Sequence, residues 1–332
     1  MVDRTLRLVS DDPASARVTH GEVVVLLNRN AGSSTGLTTA DVRRAMQAQV
    51  AVVETRSAEA ARPAAAEACH RGAKLVVVVG GDGTVTTVLS GLADAFGAES
   101  MPAIFLVPGG TMNVIARSAG AHGTPLSLLA ALGHTLRGGG ALRRSRHTTI
   151  RSGERLGLLW GVGLFANFLE VYQQQRGSLS RALGLLASAS LGALTGHSLA
   201  AKLFEPFEAK VTVDGLPWSG ARWTNISAGG VAGLGFGFEP YTRATERRGR
   251  FHLIGHALGP LGALRELPRL RAGLGMKRVT QDLARHVVVE TERPRLFAMD
   301  GDVFERATRF EVHAGPEIEL VLPATSAAPK SR

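Results

Sequence analysis

Cysteine and aromatic residues are scarce in this chain of 332 residues. Cys69 is the only cysteine, so no intrachain disulfide can form and nothing indicates an oxidising compartment. Aromatic residues make up 5% of the chain and no recognisable nucleic-acid-binding module occurs, so nucleic acid is not expected as a partner. With 45% hydrophobic and 20% charged residues, the composition predicts a soluble, globular protein with packed cores.

Neither a signal peptide nor a membrane span is expected from the sequence. Residues 1–20 carry acids and arginines where a signal peptide needs an apolar core, and we predict a flexible extension there. Residues 182–201 contain no acid, lysine or arginine over about the length of a span, but their Gly, Ser, Thr and His content weakens insertion. A buried or interfacial helix is favoured there. Residues 325–332 are predicted to be a tail.

Acidic residues are outnumbered by basic ones. Lys and Arg total 38 against 28 Asp and Glu, a formal net charge of +10. This excess favours an anionic partner, which could be nucleotide phosphate, an acidic membrane surface or nucleic acid. Two arginine clusters contribute to it: Arg143, Arg144, Arg146, Arg151 and Arg155, then Arg243, Arg247, Arg248 and Arg250.

The length of the chain predicts two domains. Over residues 21–146, apolar strand-like runs alternate with alanine-rich helical segments, which predicts a doubly wound parallel α/β domain. Over residues 147–324, short strand-like segments joined by Gly, Asp and Pro turns predict a second, mainly antiparallel β domain. Helices are expected within that domain around residues 179–202 and 256–273.

Three glycine-containing loops follow predicted strands of the first domain. NRNAGSSTG follows the first strand, GGDGT the third and PGGTMN the fourth. Ligands of an open parallel sheet bind at the carboxyl ends of its strands. Glycine lets the backbone approach a phosphate, and N–H groups at the next helix N-terminus can donate to it. Since neither G-x-x-x-x-G-K-[ST] nor G-x-G-x-x-G occurs, the loops predict phosphate binding without the common signatures.

Asp82 lies inside GGDGT, where its carboxylate would repel phosphate unless a cation lay between them. It therefore suits an Mg²⁺ ligand or a residue that orders the loop. The alternative is an aspartate that caps the helix that follows.

GGDGTVTTVLSGL, from Gly80, and LVPGGTMNVIARS, from Leu106, resemble the paired signatures of the diacylglycerol kinase catalytic-domain family. That family includes bacterial lipid kinases and the sphingosine and ceramide kinases; GGDGT alone also occurs in NAD kinases and phosphofructokinase-like enzymes. NRNAGS near the start and MDGD near the end agree with the same family. The resemblance implies ATP in a cleft between a nucleotide domain and a C-terminal antiparallel β-sandwich.

The resemblance also implies site residues. Asp300 and Asp302 of MDGD would enter the cleft from the second domain, with Asp302 at the position of the family's acid–base residue. Two neighbouring carboxylates are expected to raise each other's pKa. The residues implied around ATP are Asn28, Ser33, Thr55, Gly80, Gly81, Asp82, Gly83, Thr84, Val85, Thr86, Gly109, Gly110, Thr111 and Asn113.

The chain departs from the family pattern at several positions. Arg29 replaces the proline of the first loop, and Thr87 replaces a glutamate after GGDGT. The family's second acid in Asp-Gly-Glu is Asp302, one methylene shorter. The stretch ATERRGRFHLI replaces an acidic cluster that holds a structural Mg²⁺, and an arginine, Arg247 or Arg248, is expected to take the place of that cation beside Glu246.

We predict an ATP- and Mg²⁺-dependent lipid kinase, cytoplasmic and peripherally bound to an anionic membrane surface. It would transfer the γ-phosphoryl group to a hydroxyl of a diacylglycerol-like lipid, with Asp302 or Asp300 as the base. One alternative is a soluble-substrate kinase resembling NAD kinase, with Asp82 as acid or base. Another is a basic nucleotide- or nucleic-acid-binding protein without catalysis. The sequence leaves open the acceptor and whether the chain forms a homodimer.

Overall fold

A computed structural model of the chain describes residues 19–57, 59–97, 100–139, 141–174, 198–235 and 237–323. The predicted tail, residues 1–18 of the predicted extension and residues 182–197 of the charge-free segment lie outside these ranges. No helix within the described ranges is both long enough and apolar enough to cross a bilayer.

The N-terminal part contains a parallel four-stranded sheet in the order β4-β3-β1-β2. Two of its strands, VVVLLN and LVVVVG, are buried along their whole length, as expected for a sheet covered on both faces. The predicted alternation of strands and helices is therefore confirmed. The strands are β1 (Val23–Asn28), β2 (Ala51–Thr55), β3 (Leu75–Gly80) and β4 (Ala103–Pro108), and the helices are α1 (Thr39–Met46), α2 (Ala61–His70), α3 (Asp82–Phe96), α4 (Val114–Ser118) and α5 (Pro125–His134).

The C-terminal part is largely antiparallel, as predicted. Its strands are β5 (Leu142–Ser152), β6 (Arg155–Gly157), β7 (Leu159–Gly163), β8 (Phe207–Val213), β9 (Leu216–Pro217), β10 (Arg222–Trp223), β11 (Asn225–Gly229), β12 (Phe251–His256), β13 (Thr280–Ala284), β14 (His286–Met299) and β15 (Asp302–Pro323). Its described helices are α6 (Leu164–Gln174), α7 (Ser198–Leu203) and α8 (Pro260–Arg271). The helix expected from residue 256 begins only at Pro260, because residues 251–256 form a fully buried strand between β11 and β13.

The long strand β14 pairs with different strands along its length, and aromatic side chains pack beside it. The first half of β14 pairs with β8 and its end pairs with β7, with register shifts between them. The strand therefore bends between neighbours, as bulged strands do. Trp160, Phe297 and Phe310 pack together inside, with ring centroids 6.1 Å apart for Trp160 and Phe310 and 5.7 Å apart for Phe297 and Phe310.

The last strand connects the two parts. Leu320 of β15 pairs in parallel with Ile104 of β4, while residues 142–148 of β5 pair with residues 317–323 of β15. The turn between β14 and β15, Asp300 and Gly301, lies against the GGDGT segment, since a Cβ on Gly301 would be 3.1 Å from the Asp82 Cβ. The domain boundary near residue 146 falls within β5 and stays a prediction.

Candidate active site

The three glycine loops pack backbone against backbone at the carboxyl ends of β1, β3 and β4. The Gly109 N–H donates to the Gly80 carbonyl at 2.8 Å. A Cβ on Gly110 would lie only 2.5 Å from the Gly81 Cα, and one on Gly32 would lie 2.9 Å from the Gly110 carbonyl carbon. Because no side chain fits at these contacts, the glycines let the loops form one continuous surface.

Asn28 and Thr84 connect the first loop to the start of α3. The Asn28 Nδ2 donates to the Thr84 Oγ1 at 2.9 Å, and its Oδ1 accepts from the Asn30 N–H at 3.1 Å. Both side chains are buried, and the Thr84 hydroxyl keeps its own hydrogen to donate. Thr55 is buried at the end of β2 beside them. The structure therefore brings these predicted nucleotide-binding residues together.

The first loop also contains a buried serine that the sequence interpretation missed. Ser33 lies in a short 3₁₀ turn, Gly32–Ser34, and the next residue, Ser34, is fully buried. The Ser34 hydroxyl donates to the carbonyls of Asn28 and Ala31, both at 2.7 Å. These bonds hold the loop closed.

Asn113 shapes the PGGTMN loop. Its backbone is left-handed, with φ +53°. Its side chain accepts from the Gly110 N–H at 2.6 Å and donates to the Gly110 carbonyl at 2.7 Å. These two bonds occupy the amide, so its place among the predicted binding residues is that of a loop brace. Thr111, at the tip of the same loop, is exposed.

Asp82 is buried and orders the second loop. Its Oδ1 accepts from the Ile115 N–H at 3.0 Å, near the start of α4. Burial raises the pKa of Asp82 and the nearby Asp302 charge raises it further, while backbone hydrogen bonds from Ile115, Val114 and Asn113 lower it. Because N–H groups occupy the carboxylate, this geometry favours the loop-ordering role over the Mg²⁺ role. The helix that it caps is α4, not the one that follows it directly.

Asp300 is buried and fully hydrogen-bonded. Its Oδ1 accepts from the N–H groups of Leu158 and Leu159 at 2.9 and 2.8 Å, and its Oδ2 bonds the Thr86 hydroxyl at 2.5 Å. Burial raises the pKa of Asp300 to about 7, and the Asp82 charge adds to the rise, against those hydrogen bonds. Asp300 therefore ties the second part of the chain to α3.

Asp302 is half-buried and lies over the first turn of α3. A Cβ on Gly83 would be 2.9 Å from the Asp302 Oδ2. Its carboxylate has no hydrogen-bond partner among the residues that the structure describes. Burial raises the pKa of Asp302, and the Glu59 charge adds to it. After burial, the charge that raises the pKa of Asp300 is that of Asp82, and the charge that raises the pKa of Asp302 is that of Glu59. The expectation that Asp300 and Asp302 raise each other's pKa does not account for either rise.

Helix α6 supplies two neighbours of the site that no sequence motif indicates. The Gln173 Nε2 donates to the Gly301 carbonyl at 3.0 Å. Burial and the Asp82 charge raise the pKa of Tyr172. Both residues are more than 120 positions from MDGD, so only the folded chain brings them to the turn.

An apolar cavity of about 160 Å³ adjoins the site. Asp300 and Met112 of the PGGTMN loop line one part of it. Phe165 and Phe168 of α6 and Leu267 of α8 line another. Its walls are almost entirely apolar, so it suits a hydrocarbon group and not a charged one.

Glu246 pairs with Arg243 and not with Arg247 or Arg248, the two arginines predicted to replace a structural cation beside it. The Glu246 carboxylate accepts two bonds from Arg243, at 2.8 and 3.1 Å, and lies in an ion pair with it. Arg247 and Arg248 are not in that pair. Within the described ranges, three side chains able to share a metal ion occur together at the surface of β14 and β15, and not beside Glu246: His286, Glu311 and His313.

Residues 22–139 match the family model described as the diacylglycerol kinase catalytic domain. A comparison with curated proteins gave no significant match.

Solved structures from Bacillus anthracis str. Sterne share the fold. One protein, provisionally called a diacylglycerol kinase, has a TM-score of 0.66 at 18% identity. Another, described as a diacylglycerol kinase, has a TM-score of 0.60 at 16% identity. Each alignment covers 91% of this chain and 97% of the other. Residues 22–139 of this chain are thus similar to the diacylglycerol kinase catalytic domain, and the fold of the whole chain is shared with these solved structures.

Proposed function

We propose that this protein is an ATP-dependent lipid kinase that phosphorylates a hydroxyl of a diacylglycerol-like lipid. One observation carries the proposal: the carboxylate of Asp302, which has no hydrogen-bond partner among the described residues, lies over Gly83 of the GGDGT loop, and Asp300 in the same MDGD turn lines the apolar cavity. A phosphoryl donor, a base and a site for an apolar acceptor would therefore meet within one cleft.

The glycine loops support ATP as the donor. α3 begins at Asp82, and the N–H groups of its first turn have no partner within the helix, so they suit phosphate oxygens. Thr84 and Thr111 add hydroxyl donors. Asp82 and Asp300 are occupied by hydrogen bonds, so Mg²⁺ would be held mainly by the ATP phosphates, where it would neutralise part of their charge.

Asp302 supplies the base. A hydroxyl is a weak nucleophile at neutral pH, so its proton must leave as the bond to phosphorus forms. The acceptor oxygen forms a bond to the γ-phosphorus, the bond from that phosphorus to the bridging oxygen of ADP breaks, and the proton goes to the Asp302 carboxylate. The raised pKa of Asp302 favours this role, because a more basic carboxylate takes a proton more readily. Asp300 holds the turn that carries it.

The cavity favours a lipid over a dinucleotide acceptor. Its lining comes mainly from Phe, Leu and Met side chains. A nicotinamide dinucleotide would bury many polar atoms there without partners, which costs free energy for each one. A hydrocarbon tail has no such cost, so the NAD kinase alternative is disfavoured.

The test is phosphate transfer from radiolabelled ATP to diacylglycerol in mixed vesicles, to NAD and to buffer alone. We expect label in phosphatidic acid. Asp302→Asn should lower kcat by about 10²–10⁴-fold with ATP affinity kept, since only the base is lost. Glu305→Gln removes the same charge from an exposed position on the same strand and serves as the control. Label in NAD, or full activity of Asp302→Asn, would contradict the proposal.

A further inference from the structure

Exposed leucines are concentrated around α8. The described residues include five large hydrophobic side chains that are exposed, and three lie within residues 260–278, here called the α8 segment. They are Leu261, Leu264 and Leu274, with 44%, 42% and 50% of their surface exposed. Leu261 and Leu264 are three positions apart and so share one helix face. An apolar patch of this kind indicates a contact surface for another apolar body.

The same segment is positively charged. Arg265, Arg271, Lys277 and Arg278 are exposed, and none forms an ion pair within the described part of the chain. The segment's single acid, Glu266, is buried and accepts from the Lys277 N–H at 3.0 Å. Free cations beside exposed leucines are complementary to an anionic lipid surface, where both interactions are satisfied together.

The inner side of α8 faces the cavity. Ala263, Leu264, Leu267 and Leu270 line it. Leu264 is both part of that lining and exposed, so it lies at an opening between the cavity and the outside. A lipid at this surface could enter beside Leu264 and reach the end of the cavity that Asp300 lines.

The arginine clusters singled out in the sequence are less suited to this contact, because none of the described exposed large hydrophobic side chains lies within them. Three of their nine arginines are also in ion pairs: Arg243 with Glu246, Arg250 with Asp214, and Arg144 with Glu319. Charges already paired within the protein gain less from anionic headgroups.

We propose that the α8 segment is the membrane-docking surface, and that an anionic bilayer is its partner. The leucines enter the boundary between headgroups and acyl chains, the four cations contact anionic headgroups, and the cavity opens toward the bilayer. The inference rests on the proposed function only for the identity of the lipid that enters; docking itself needs no catalysis.

The experiment is sedimentation with vesicles of phosphatidylcholine and phosphatidylglycerol, without ATP. Leu261→Asp and Leu274→Asp should each weaken vesicle affinity at least tenfold, because each removes an apolar side chain that would enter the bilayer and adds a charge that anionic headgroups repel. Both side chains are exposed and outside the cavity lining, so the substitutions should leave the packed core in place. Leu216→Asp is the matched control, because Leu216 is 71% exposed but lies in β9, outside the α8 segment. The vesicle affinity of this variant should equal that of wild type.

Two further measurements define the surface. Arg265→Gln and Lys277→Gln should each weaken binding to anionic vesicles about fivefold at low salt and much less at high salt, where charges are screened. The tryptophan fluorescence of Leu261→Trp should shift to shorter wavelength when vesicles are added, because this side chain would enter the bilayer. The fluorescence of Leu216→Trp should not shift.

The outcomes separate docking from catalysis. Wild-type affinity of Leu261→Asp and Leu274→Asp, an equal loss in Leu216→Asp, or no vesicle binding by the wild type would overturn the docking surface and leave the kinase proposal standing. Binding that depends on the α8 segment, without lipid phosphorylation, would support docking and contradict the kinase proposal.

Discussion

Replacing Gly83 with alanine tests the position of Asp302 directly. The added Cβ would lie 2.9 Å from the Asp302 Oδ2 and 3.6 Å from its carboxyl carbon. Non-bonded heavy atoms are best separated by about 3.5 Å or more, so the carboxylate must retreat by about 0.5 Å. Gly83 has an ordinary helical backbone in α3, so alanine should stabilise that helix by roughly 0.5–1 kcal/mol.

The expected effect on activity follows from that displacement. A catalytic group misplaced by about 1 Å can cost about 10²-fold in rate, so half that displacement predicts a kcat about tenfold lower. The assay is lipid phosphorylation at saturating ATP, with ATP affinity from calorimetry and thermal stability from denaturation. We expect lower kcat, ATP affinity within about twofold of wild type, and unchanged or higher stability.

The double variant Gly83→Ala with Asp302→Asn provides the control. If alanine acts through the carboxylate, the double variant should be no slower than Asp302→Asn alone, since the displaced group is already inactive. Wild-type kcat in Gly83→Ala, or losses that add fully in the double variant, would refute the placement of Asp302 as the base.

Two predictions concern the buried carboxylates. The pKa of Asp300 is about 7 in the folded state and about 4 in the unfolded chain. Between these pH values the folded state keeps a proton that the unfolded chain releases. The contribution of Asp300 to the free energy of unfolding therefore falls as the pH rises from about 4 to about 7. Residue 300 cannot titrate in Asp300→Asn. The free energy of unfolding of this variant minus that of wild type, measured in urea, should therefore be larger at pH 8 than at pH 5. An equal difference at the two pH values would show that Asp300 is ionised throughout. Asp82→Ala leaves buried N–H groups of α4 without an acceptor and should lower the free energy of unfolding by about 1–3 kcal/mol, whereas Asp82→Asn, which keeps an acceptor, should lose less. Equal losses in the two variants would contradict this assignment.

Local sequence determined the elements of the N-terminal part. VVVLLN and LVVVVG are short apolar runs that end at glycine or asparagine, and such runs form strands wherever both faces of a sheet are covered. The glycines of GGDGT and PGGTMN could also be identified from local sequence, because two backbones can approach this closely only where glycine is present. The resemblance on these two motifs predicted the family that residues 22–139 match.

Local sequence was insufficient where a residue's neighbours were distant along the chain. A helix was expected to begin at residue 256, but pairing with β11 and β13 places residues 251–256 in a strand. Glu246 has arginines on both sides in the sequence, and the geometry of the folded turn pairs its carboxylate with Arg243.

MDGD shows the same division most clearly. Its two aspartates differ by two positions and carry the same side chain, so the sequence predicted both as candidate bases. In the folded chain, Asp300 turns inward with φ +53° and accepts from N–H groups about 140 residues away, whereas Asp302 lies over α3 without a hydrogen-bond partner in the described ranges. The cavity likewise combines segments that are far apart in sequence, from Met112 to Asp300. A residue's type and spacing determine what chemistry it can do, but packing between distant segments determines which of its atoms remain free to do it.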